Sequence, residues 1–70
     1  MSQDNLKSVE REVGRYVDAG IIKQDRVTGS PTARTKESAK LLQRLEEAAD
    51  NAGGSYRESI QRIRDRHQRK

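Results

Sequence analysis

The chain has no cysteine, tryptophan or phenylalanine, one proline and one histidine. Without thiols there is no disulfide staple and no thiolate metal site, which fits a reducing compartment. Two tyrosines are the only aromatic side chains, so the stacking surface that single-stranded RNA recognition favours is missing. Apolar residues make up 30% of the 70. A domain of this size struggles to bury enough surface to offset a backbone entropy cost of roughly 1–2 kcal/mol per residue, and oligomerisation is the expected remedy. Apolar runs long enough for a signal peptide or a membrane span are also lacking, so the expectation is a cytoplasmic or nucleoid-associated protein with no membrane partner.

Catalytic chemistry is thin for the same reason. Acid–base or nucleophilic catalysis needs a convergent set of groups, and the one histidine, His67, reads as a flanking or stacking side chain. Glu46, Glu47 and Asp50 lack the loop spacing of an oxygen cage for a cation and read as a solvated face. Gly53-Gly54 follows a helix and has no Gly-Lys-Ser/Thr beside it, unlike a phosphate cradle. No enzyme activity, metal or cofactor is expected.

What the chain does have is charge, unevenly placed. Its formal +4 falls within residues 55–70, where six basic side chains face two acidic ones, while residues 1–54 are balanced. Such a basic segment attracts phosphate or an acidic protein surface.

Periodicity predicts a mainly α protein in a single domain, residues 1–70. Leu6, Val9, Val13, Tyr16 and Val17 recur at helical spacing over about 4–19, with Gly20 placed as the left-handed cap and Gly14 inside at a cost of about 1 kcal/mol. This N-terminal unit runs to about residue 22, and residues 23–35 read as a loop. A helical hairpin occupies 36–70. Leu41, Leu42, Leu45, Ala48, Ala49 and Ala52 make the stripe of a helix over about 36–52 that Gly53-Gly54 stop. Ser55 and Glu58 have capping-box spacing at the start of a helix over about 56–69, with Tyr56, Ile60, Ile63 and His67 as its seam. Leu41, Leu42, Leu45, Ile60 and Ile63 form two seams that one short monomer can barely close over, and they are the expected homodimer interface.

Along the last helix, Glu58–Arg62 and Asp65–Arg69 are spaced for intrahelical pairs. That leaves Arg57, Arg64, Arg66 and Lys70 to track phosphates or line an interface. The middle helix carries its charges against the helix dipole: Arg34, Lys36, Lys40 and Arg44 at its start, Glu46, Glu47 and Asp50 at its end. A twin packed antiparallel or a polyanion at the basic end would compensate.

The stretch Leu45–Ile60 resembles the helix–turn–helix half of ribbon-helix-helix DNA-binding proteins. In that family an Ala-containing amphipathic helix ends at Gly and a Gly-x-Ser-x-x-Glu-x-Ile pattern opens the next, matched here by Gly53, Ser55, Glu58 and Ile60. The resemblance, over about residues 31–66, implies a short intermolecular β-ribbon at about 31–37. There Thr32, Arg34 and Lys36 would touch base edges, and the backbone at Gly54, Ser55 and Tyr56 would hold a phosphate. Arg57 and Arg64 join them as candidate DNA contacts. The opposite strand face would be Ala33, Thr35 and Glu37. Alternatively, Ser30-Pro31 is itself a helix start, and if it prevails the ribbon gives way to an all-α three-helix unit.

Two functions therefore compete. One is a small dimeric protein binding double-stranded DNA as a transcriptional repressor or accessory factor. The other is a helical adaptor or inhibitor whose basic C-terminal helix binds an acidic surface on a larger protein or nucleoprotein.

Overall fold

Each helix starts or stops where the local sequence satisfies its exposed backbone groups. In the computed structural model, which describes residues 2–68, α1 (Ser2–Asp18) runs into Gly20, whose φ of 78° is left-handed. The amide of Ile21 reaches back to the Tyr16 carbonyl at 2.9 Å and that of Gly20 to Val17 at 3.1 Å, the paired bonds of a Schellman ending. α2 (Lys36–Asn51) ends the same way: Gly53 has φ 76°, and the Gly54 amide donates to the Ala49 carbonyl at 2.9 Å. α3 (Tyr56–Gln68) opens on the expected capping box, with the Glu58 amide on Ser55 Oγ at 3.1 Å and the Ser55 amide on Glu58 Oε1 at 3.2 Å.

The start of α2 is set by Thr35. Its Oγ1 accepts the Ser38 amide at 3.1 Å while Ser38 Oγ, fully buried, accepts the Thr35 amide at 3.0 Å. The helix thus begins five residues beyond the Ser30-Pro31 signal, and Pro31 lies in a strand. β1 (Ile22–Gln24) and β2 (Pro31–Ala33) pair antiparallel, with Ile22 opposite Ala33, Lys23 opposite Thr32 and Gln24 opposite Pro31. The protein is mainly helical with a short β-ribbon, but both strands come from one chain, and β1 from Lys23 onward and all of β2 lie in the span 23–35 read as a loop.

One contiguous core joins the elements: Leu6, Val9 and Val13 from α1, Ile22 from β1, Leu41, Leu45, Ala48 and Ala49 from α2, and Ile60 and Ile63 from α3. Tyr16, Val17, Leu42, Ala52 and Tyr56 pack at its margin. Four of the five residues expected at a dimer interface, Leu41, Leu45, Ile60 and Ile63, are thereby buried within the monomer, and Leu42 is half-buried. Closure is possible because α1 supplies the apolar stripe that covers them.

α1 and α3 are also joined by charge. Arg62 Nη2 lies 2.7 Å from Glu10 Oε2 and also donates to Ser59 Oγ at 3.1 Å, while Glu10 and Ser59 are both buried. This replaces the expected Glu58–Arg62 pair, since Glu58 caps the helix instead. The Glu10 carboxylate, through its hydrogen bond, pushes the Arg62 guanidinium pKa up, against a smaller effect of burial. Asp65 pairs with its neighbour Arg64 at 3.3 Å. Arg69 and Lys70 lie outside the described residues.

Candidate nucleic-acid interface

The pairing register decides which side chains the ribbon presents. Residues opposite one another in an antiparallel pair share a face, and the face alternates along each strand. Ile22, Gln24, Pro31 and Ala33 face inward and are buried or half-buried; Lys23 and Thr32 face outward and are exposed, with Arg34 one step further on the same side. Main-chain bonds from Arg34 to the Ile21 carbonyl (3.1 Å) and from Asp25 to the Ser30 carbonyl (2.9 Å) extend the ladder past both strand ends.

Of the three side chains expected to read bases, Thr32 and Arg34 thus stand together on the outer face of the ribbon. Arg34 Nη1 makes one long contact, 3.4 Å, to the Gly20 carbonyl, and the side chain remains exposed. Lys36 does not continue the alternation. It is the first residue of α2, because the cap at Thr35 turns the chain from strand to helix. Lys40 and Arg44 follow it one and two turns along the exposed side of α2. Lys23 was not anticipated. Its signal was the alternation Ile22-Lys23-Gln24, too short to register as a strand without its partner.

The loop between the strands is built to hold shape. Asp25 Oδ1 accepts the amides of Val27 at 2.7 Å and Thr28 at 2.8 Å, and the Thr28 bond is the first cause of a carboxyl pKa below the usual range. Gly29, with φ 77°, is buried against α3, and a Cβ there would meet Gln61 Nε2 and Ile60 Cγ2 at 3.3 Å. Gln61 Nε2 donates to the Thr28 carbonyl at 3.1 Å, Arg64 Nη1 to the Val27 carbonyl at 2.8 Å, and Gln24 Nε2 to the Ile60 carbonyl at 3.0 Å. Arg64, expected on DNA, is therefore a brace that fixes the hairpin against α3.

The α3 N-terminus is similarly occupied. The amides of Gly54 and Ser55 are hydrogen-bonded within the chain, and the Glu58 carboxylate sits where a phosphate would approach. Tyr56 packs against the core, and burial, with a lesser contribution from Glu46, raises its hydroxyl pKa. Arg57 is exposed. The structure brings Thr32, Arg34 and Lys36 to one end of the molecule and places Gly54, Ser55, Tyr56 and Arg57 at the α2–α3 turn.

Among the described residues no group of His, Asp or Glu could hold a metal ion, and no helix is long and apolar enough to cross a membrane. No protein-family model, curated protein or solved structure matches the chain.

Proposed function

We propose that this protein binds double-stranded DNA by laying the outer face of its β-ribbon in the major groove, in the role of a repressor or accessory factor. The observation that carries this reading is the register: Lys23 opposite Thr32, with Arg34 beside them, on an exposed face whose reverse side is anchored in the core. A two-stranded ribbon fits the major groove, and Arg, Lys and Thr are side chains that hydrogen-bond base edges there. Lys36, Lys40 and Arg44 on the adjoining α2 surface would contact phosphates. The helix N-terminus beneath them adds positive potential.

In ribbon-helix-helix proteins the second strand comes from a twin. Here β1 supplies it, so a single chain presents a complete ribbon and dimerisation is not required to make one. The adaptor reading has less support, since Arg64, one of the α3 arginines on which it relies, is engaged within the chain.

Selection from a random duplex library near physiological salt is the direct test. Enrichment of one sequence that is lost in Arg34→Ala and Lys23→Ala is the expected result. Failure to enrich any sequence overturns the proposal.

A further inference from the structure

A cleft of about 240 Å³ lies between α1 and α3, walled by Gly14 and Ile63 and surrounded by Arg11, Arg15 and Arg66. Arg11 and Arg15 are one helical turn apart on α1, and Arg66 comes from α3. Among the described residues, none of the three has an ion-pair partner. The two acids that line the same cleft are engaged, Glu10 by Arg62 at 2.7 Å and Asp18 by His67 Nδ1 at 3.1 Å. Three exposed arginines therefore line a hollow whose acids are turned to other partners.

Gly14 is the second observation. A glycine within a helix is unfavourable relative to alanine, and close helix packing is the usual reason to keep one. Here a Cβ would meet only His67 Nε2, at 3.9 Å, an ordinary contact. Packing between α1 and α3 thus does not demand glycine. What the missing side chain preserves is room in the cleft between the arginines.

We propose that this cleft binds a phosphate group, held by Arg11, Arg15 and Arg66 over Gly14. Three planar guanidinium forks offer more donors than the two oxygens of a carboxylate can accept, whereas a phosphate presents acceptors in several directions. The site is separate from the ribbon face and does not rest on the DNA reading. The phosphate belongs either to a free small molecule or to the end of a nucleic-acid strand.

The test is an amide-resolved NMR titration of the full chain with pyrophosphate, at ionic strength held constant with chloride. Saturating shifts confined to Gly14, Arg15, Ile63, Arg66, His67 and their neighbours are expected, with a midpoint on the order of 1 mM. Arg66→Gln is expected to weaken the midpoint about tenfold, the loss of one charge-assisted hydrogen bond. Gly14→Ala should weaken it as well while leaving the thermal midpoint unchanged or higher, which separates filling the site from unfolding the helix. A duplex carrying a 5′-phosphate, compared with the same duplex lacking it, then assigns the source. Tighter binding of the phosphorylated duplex at these residues identifies a strand end, and equal binding identifies a free phosphate compound. Shifts that fail to saturate, or that are as large around Lys36, Lys40 and Arg44, overturn the proposal, as does an unchanged midpoint in Arg66→Gln.

Discussion

α3 and the ribbon–α2 corner invert what their charge counts imply. The formal excess of positive charge belongs to residues 55–70, yet two of the α3 arginines are turned to internal work: Arg62 binds the buried Glu10, and Arg64 holds the carbonyls of the hairpin loop. The corner formed by the two strands and the start of α2 belongs to a balanced stretch, but its cations Lys23, Arg34, Lys36 and Lys40 are all exposed. Net charge along a sequence is thus a poor guide to surface potential when opposite charges are far apart in the fold and some cations serve as hydrogen-bond donors inside it.

The core that joins the two regions offers the largest test. Leu45 is fully buried, and Leu45→Ala is expected to cost about 2–5 kcal/mol, the range for a buried leucine. Because its contacts lie within one chain, the melting temperature of the variant should not depend on protein concentration. A midpoint that rises with concentration would put the core at an interface between copies.

Gly29→Ala comes next. The left-handed conformation costs a non-glycine residue roughly 1–3 kcal/mol, and the overlap with Ile60 and Gln61 adds to it. Thermal unfolding should show the loss, and hydrogen exchange should show the hairpin amides opening first.

The sharpest contrast pairs two arginines. Arg64→Ala should lower stability by roughly 0.5–1.5 kcal/mol by removing its hydrogen bonds to the exposed loop carbonyls, seen by denaturant titration, with the salt dependence of DNA binding unchanged. Arg34→Ala should leave stability within about 0.5 kcal/mol and lower affinity for a selected duplex by about 1–3 kcal/mol. If Arg64→Ala instead changed the salt slope, α3 would be the nucleic-acid face after all. Smallest is Lys40→Ala, for which a salt slope reduced by about one, with equal weakening on every sequence, marks a phosphate contact.

What the sequence made legible was local. Gly20, Gly53 and the Ser55/Glu58 pair close their helices through bonds spanning three to five residues, so their spacing alone places the boundaries. The ribbon was legible only as an alternation of Thr32 and Arg34. Its other strand is three residues long, and its position depends on Gln61 and Arg64, 33 and 37 residues from the carbonyls they hold. Arg62 illustrates the same limit. The nearby Glu58 was the expected partner by spacing, but the capping geometry claimed it, and the carboxylate that binds Arg62 is 52 positions away. The arginine cleft was invisible for the same reason, since Arg11 and Arg66 meet only when α1 and α3 pack.

The bracing of the hairpin by α3 also has a consequence during synthesis. A chain made from its N-terminus has β1 and β2 available early, but the Gln61 and Arg64 side chains that hold their loop are made long afterwards. Until α3 leaves the ribosome, a two-stranded hairpin that is at best marginally stable by itself has only α1 and α2 to pack against, and its loop lacks the donors that hold it. The nascent protein should therefore hold its ribbon, and with it the surface proposed to meet DNA, only loosely until α3 has emerged.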